Sequence, residues 1–413
     1  MYDVWDNVGQ CEIGYREDFR GEERLSLSIS VSLCMNISET EAPVSKVSKQ
    51  TQNITDQHKI QQFMNKAVGD IAGSSTVMLV IIGHRLGLYR AMAQANSPIS
   101  VKQLADKTGT VERLVKEWLA NQVASGYIEY DPRSRKYTLP PEHALALDDE
   151  NSPIYLQGIF KAIKSYFKDE EEFLKMFRGE RTLSWMDHNP LMAEGFAEFF
   201  KSSYVGNLIN SWIPAVDNGN ILEKLKKGAK VADVGCGFGI TTLMMAKAYP
   251  KSTFTGFDFD KESIEKAKES AKKENINNIR FGVSSASEFP GSYDFVTFFD
   301  CLHDMGDPEG ALTHARNVIN KDDEGSVNND SGTCMIVEPF AQNELENNVN
   351  PVASTFYAAS TLICVPNSLA FNGPALGAQA GENRIRDVAV KSGFSHFKRI
   401  LETPLNIIYE AKP

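Results

Sequence analysis

At 413 residues the chain is long enough for two or three domains and a sizeable core. With 42% hydrophobic and 23% charged residues its composition is that of a globular protein, and a net charge of −11 argues against general affinity for nucleic acid or anionic membrane. Six cysteines, at 11, 34, 236, 301, 334 and 364, include no CxxC pair, so neither a disulfide framework nor a metal site is indicated. Free thiols in a reducing, cytoplasmic compartment are expected. No unbroken apolar run reaches about 18 residues, so no membrane span is expected. The stretch LSLSISVSLCM (25–35) is too short to cross and follows no basic region, so it does not read as a signal peptide.

Residues 1–59 lack a durable apolar period, which predicts a poorly ordered N-terminal extension. Met35 offers an alternative start that would make the first 34 residues dispensable. Residues 60–150 read as a winged helix. Two apolar helices come first. Then come a short helix, a turn at Thr108-Gly109, a longer helix, and strands YIEY and KYTL joined by DPRSR. Seven basic against five acidic side chains across 98–140, with Glu112 and Glu117 on the second helix, make a weak phosphate footprint. Residues 151–227 read as a helical connector with twelve aromatics. Packing is their plain role, and lining a substrate cavity is the sharper one.

From 228 to 413 strands and helices alternate. This predicts an α/β, Rossmann-like, seven-stranded sheet, mostly parallel with one antiparallel strand. The antiparallel strand comes from a hairpin near Glu402-Thr403-Pro404. The polar segment 321–332 reads as a solvent loop.

The strongest signal is VADVGCGFG (231–239), a strand, a glycine-rich turn and a helix start. Gly235, Gly237 and Gly239, with Cys236 between, leave backbone open to a ligand at the carboxyl end of the strand. The spacing is neither GxGxxG nor a P-loop. Asp233 would repel a phosphate and suits a cation. Asp258, 23 residues after Gly235 and followed by Phe259, ends the next strand, where an acid can accept both ribose hydroxyls. A nucleoside with an intact ribose, no phosphate and a positive charge is implied. S-adenosylmethionine has all three properties.

With these residues the chain resembles class I S-adenosylmethionine-dependent methyltransferases. Asp233 and the three glycines stand at the family's first motif and Asp258 at its ribose acid. FGVSSASEFP (281–290) stands at the third motif, with Ser285 where the family often has an acid, followed by Ala286. YDFVTFFDCLHDMGDP (293–308) stands at the fourth, with Asp300 and Cys301 beside the methionine moiety. The resemblance to small-molecule O-methyltransferases with a winged helix implies His303, of His303-Asp304, as a general base. Met305 follows where plant members have Trp. The same resemblance implies a homodimer through the N-terminal domain, which also walls the substrate pocket.

The alternative reading is that His303 only shapes its turn, with Asp304 capping the next helix. The other histidines, His188 included, read as packed or solvated. Glu338 ends a strand toward the same cleft, and both substrate orientation and structural hydrogen bonding stay open for it. The apolar insert 341–381 reads as a lid over a small-molecule acceptor. Three rivals remain: a winged-helix transcriptional regulator that senses the cofactor, a non-catalytic protein that binds it, and a protein methyltransferase, which an open acidic groove in place of a closed lid would favour.

Overall fold

In a computed structural model of the chain, residues 56–319 and 332–413 are described. The extension up to 55, its alternative start and most of the predicted loop at 321–332 lie outside them. The chain divides into two units, 1–63 and 64–413. Of the first, only the opening turns of the helix Gln57–Arg85 are described. This helix begins inside the stretch expected to be poorly ordered.

The second unit continues that helix, whose buried positions are Thr76, Val80, Ile81 and Gly83. An 18-residue window of the helix has a mean hydropathy of 1.4, so by length and composition alone it could cross a membrane. The expectation of no span missed it because polar residues interrupt the run. Gly87, at φ +68°, turns the chain into the helix Leu88–Ala95. Ser100 caps Val101–Thr108 through a capping box with Gln103. Gly109, at φ +65°, makes the turn to Glu112–Ala124. The wing follows as β1 (Glu129–Asp131) and antiparallel β2 (Lys136–Thr138). Tyr89, Leu104, Trp118, Leu119 and Leu147 bind these pieces into one core, each large apolar side chain contributing about 1.5–3 kcal/mol.

In the connector, Gln157–Tyr166 lies against Leu191–Asn207 with backbones in contact. A Cβ on Gly158 would stand 2.3 Å from Phe199 N, and one on Gly195 would stand 2.5 Å from Ala162 N. A π-helical turn, Leu208–Trp212, follows.

The large sheet comprises β3 (Lys230–Val234), β4 (Thr253–Asp258), β5 (Ile279–Val283), β6 (Phe295–Phe299), β7 (Thr333–Pro339), β8 (His396–Glu402) and β9 (Asn406–Lys412). Their order is β5-β4-β3-β6-β7-β9-β8. All neighbours are parallel except those of β9, which runs antiparallel to β7 and β8 as the hairpin predicted. Because β3 sits between β4 and β6, the order reverses there, and the crevice at such a point is where open α/β sheets bind ligands. The register sets Asp233 level with Gly256 and Thr297.

Candidate active site

A cavity of about 700 Å³ opens at the carboxyl ends of β3, β4 and β6. Its floor is the glycine turn. The N–H groups of Gly235 and Cys236 both donate to Phe257 O, at 2.8 and 3.0 Å, tying the turn to β4. Gly237 N–H donates to Asp258 Oδ2 at 2.8 Å, and Asp260 N–H to Oδ1 at 2.9 Å. Gly235, Cys236, Gly237, Asp258, Phe259, Ser285, Ala286, Asp300, Cys301 and His303 all line this one cavity. Ser285 is exposed and lies 3.3 Å from the Ser287 hydroxyl.

Two expected residues do not line it. The carboxylate of Asp233 is turned beneath the floor, where it accepts from Thr241 at 2.7 Å, Thr242 at 2.6 Å and Thr297 at 3.0 Å. Burial pushes its pKa up to about 6. It anchors the turn from below and does not meet a ligand's charge directly. Gly239 faces packing: a Cβ there would stand 2.6 Å from the Phe281 ring.

At the end of β6, Asp300 adopts φ +50°. Its Oδ2 accepts from the Tyr204 hydroxyl at 2.7 Å and its Oδ1 from Asn406 Nδ2 at 2.8 Å. Burial pushes its pKa up to about 8. Then comes a short 3-10 turn, Leu302–Asp304. His303 is buried there, and its Nδ1 lies 2.6 Å from Glu338 Oε2. Burial pulls the pKa of the ring down, but the Glu338 carboxylate outweighs it and holds the pKa well above the ordinary value. The thiol of Cys364 also meets the ring. Asp304 is no helix cap: its Oδ2 accepts from Trp185 Nε1, and Asp307 caps Pro308–Val318 instead.

On the side of the connector and the insert much of the wall is apolar. Trp185, Phe196, Phe200 and Tyr204 come from the connector, while Phe356, Ile363 and Cys364 come from the insert. The insert therefore walls the cavity, as a lid would. The other eight connector aromatics are not among the lining residues, and two of them, Phe167 and Phe177, are exposed. None of the lining residues belongs to the winged helix, which in the single chain does not wall the pocket. Cys364, Asn367 and Phe371 fall in the insert read as a lid without being singled out there, and sequence reasoning missed Asn406, the partner of Asp300, which no local motif marks. On the winged helix, Lys102 pairs with Asp106 at 2.8 Å and Arg113 with Glu117 at 2.5 Å, leaving less free positive charge for phosphate.

Residues 225–361 match the family model of a methyltransferase domain, and residues 74–148 that of an Rv2258c-like winged HTH domain. An uncharacterized methyltransferase of Schizosaccharomyces pombe, C1B3.06c, is 30% identical over 132 residues, 28% of this chain and 48% of that protein. The match thus spans about half of that relative's length. An O-methyltransferase family protein from Burkholderia thailandensis has a TM-score of 0.60 at 13% identity, covering 87% of this chain and 98% of its own. Human N-acetylserotonin methyltransferase, solved in complex with SAM, has a TM-score of 0.59 at 16% identity, covering 87% and 99%. At such identities the likeness is one of fold.

Proposed function

We propose that this chain, which belongs to the S-adenosylmethionine-dependent methyltransferases with an N-terminal winged helix, transfers a methyl group to an oxygen of a small, largely apolar acceptor. The supporting observation is the buried His303–Glu338 pair, whose histidine shares one cavity with the glycine turn and Asp258.

The residues present fit the cofactor. Each oxygen of Asp258 accepts one backbone N–H and retains room for a second donor, which suits two ribose hydroxyls. Nothing stands within 4 Å of where a Cβ on Gly237 would lie, so a ligand can approach the backbone there. Phe259, 45% exposed, offers a ring face to an aromatic base. The carboxylates of Asp258 and Asp304 around the cavity favour a cation over a phosphate.

Bound there, the cofactor supplies an electrophilic methyl on a sulfonium sulfur with a neutral leaving group. The chain orients the acceptor, excludes water and removes a proton. In this reading His303 is the base. Glu338 holds Nδ1, which leaves Nε2 for the acceptor hydroxyl, and its charge stabilises the imidazolium that forms. Oxygen is favoured because a neutral amine attacks without such a base. Trp185, Phe196, Phe200 and Phe356 suit an aromatic or otherwise apolar body.

A homodimer through the N-terminal region is part of the proposal. Val68 and Ile71, 58% and 65% exposed on the first helix, are candidates for burial in it. Light scattering of the purified chain checks the stoichiometry. The four described cysteines are free thiols, which suits a cytoplasmic enzyme.

Calorimetric titration with S-adenosylmethionine should give saturable binding; silence would overturn the cofactor assignment. Transfer of labelled methyl to a panel of hydroxyaromatics should follow. His303→Ala should lower turnover by about 10²–10⁴-fold with cofactor affinity nearly unchanged. Binding without any transfer would favour the regulator or the non-catalytic protein.

A further inference from the structure

Two phenylalanines line the cavity and are left largely open, Phe259 at 45% exposure and Phe371 at 48%. Phe259 follows Asp258, the acid at the end of β4. Phe371 comes from the insert, directly after the short helix Val365–Ala370. The two ring centroids lie 5.9 Å apart and the planes meet at 74°, an edge-to-face corner.

The segment that carries Phe371 is fastened to the turn that carries His303. Asn367 Nδ2 donates to Asp304 O at 2.8 Å, Ser368 Oγ to Met305 O at 2.8 Å, and Gly377 N–H to His303 O at 3.0 Å. Gly306 leaves the space that Phe371 fills, since a Cβ there would stand 2.4 Å from Phe371 Cβ. At Gly373 a Cβ would stand 2.6 Å from Gly306 O, so the two backbones run in contact. The fold thus fixes this ring in position without burying it. A ribose held by Asp258 carries its base one glycosidic bond away, beside Phe259 and so at the corner. A flat base set there lies face-on to one ring and edge-on to the other, and covers apolar surface of both.

We infer that Phe371 is a cofactor-contacting residue supplied by the insert: with Phe259 it forms a two-ring corner that holds the adenine base. This rests on the methyl-transfer reading and deepens it. The insert, which already walls the acceptor side through Phe356, Ile363 and Cys364, then touches both ligands. Because residues 367–377 are fastened to the His303 turn, filling the corner also steadies the segment that carries the proposed base.

The test titrates the full chain calorimetrically with S-adenosylhomocysteine, the demethylated cofactor. Phe371→Leu, which keeps an apolar side chain without the ring, should bind it about tenfold more weakly. Phe371→Tyr, which keeps the ring, should bind it nearly as well as wild type. With the ring half exposed, both variants should melt close to wild type, which separates a lost contact from a lost fold. In Phe371→Trp the added indole should be quenched by S-adenosylhomocysteine beyond any change in the wild-type emission. In the unaltered chain, hydrogen exchange across 367–377 should slow when S-adenosylhomocysteine is added; this readout decides the matter if a variant melts early. Unchanged affinity in Phe371→Leu, equal weakening in Phe371→Leu and Phe371→Tyr, an unresponsive indole, or unaltered exchange across 367–377 would each overturn the contact. Failure of S-adenosylhomocysteine to bind the unaltered chain would instead overturn the methyl-transfer reading, and this inference with it.

Discussion

The indole Nε1 of Trp185 donates to Oδ2 of Asp304 at 2.5 Å, fastening the connector to the residue beside His303. Asn367 closes the same joint: its Oδ1 accepts from Trp185 N–H at 3.0 Å, and its Nδ2 donates to Asp304 O at 2.8 Å. Asp304 is buried, and that burial pushes its pKa up to about 6, so near neutrality it is a charge with few donors. Trp185→Phe keeps a ring in the cavity wall and deletes one donor. It should lower the unfolding free energy by about 1–3 kcal/mol and raise the acceptor KM, with cofactor affinity little changed. Denaturant curves and steady-state kinetics check both, and an unaltered KM would separate the joint from acceptor binding.

Gly235 and Gly237 should respond differently to the same substitution. Both have positive φ, +71° and +51°, so alanine at either costs about 1–2 kcal/mol in backbone strain. At Gly235 the new Cβ would also stand 2.7 Å from Cys301 Sγ, whereas at Gly237 it meets nothing within 4 Å. Gly235→Ala should therefore depress the melting temperature clearly. Gly237→Ala should leave it closer to wild type and mainly weaken binding, because its methyl projects where a ligand approaches. Melting curves and cofactor titrations on the two variants separate the effects.

What the sequence disclosed follows from what is local. The strands of the large sheet stand out because both faces are covered, so Val231–Val234 and Phe295–Phe299 are buried throughout and apolar except for Asp233 and Thr297. The glycine turn and Asp258 stand out because each sits at a strand end. The side-chain partnerships are not legible in that way. Trp185 and Asp304 lie 119 residues apart, Tyr204 and Asp300 lie 96 apart, and only the assembled fold brings them together. The π-helical turn Ser360–Cys364 adds a residue to one turn and rotates Cys364 into the cavity wall, a shift that apolar spacing does not encode.

Asp300 should make stability pH-dependent in a definite direction. Its pKa in the folded chain is about 8 against an ordinary 3.8, with burial as the cause. The folded state thus holds a proton that the unfolded chain releases. The resulting stabilisation is fully present below about pH 4, declines as pH rises, and is gone above about pH 8. Asn at 300 is neutral throughout, tolerates φ +50°, and can still accept from Asn406. Asp300→Asn should therefore show a flatter fall in urea midpoint between pH 4 and 8. Asp233 and Asp304, each raised to about 6, slope the same way in both proteins and cancel in the difference. Coincident slopes would mean that Asp300 titrates at an ordinary carboxylate value in the fold.

Glu338 should set where His303 titrates. Its Oε2 lies 2.6 Å from Nδ1, and its Oε1 has no partner among the described residues, so its charge acts chiefly on the imidazole. Glu338→Gln keeps the shape and removes the charge. With burial then unopposed, the His303 pKa should fall. If His303 is the base, the acidic limb of the kcat–pH profile moves to lower pH, because the ring loses its proton sooner. The plateau should drop by about tenfold to a hundredfold, since the imidazolium formed during transfer loses its counter-charge. Cofactor affinity should stay near wild type, as Glu338 does not line the cavity. A lowered plateau with an unmoved limb would show that Glu338 only supports the turn and that another group takes the proton.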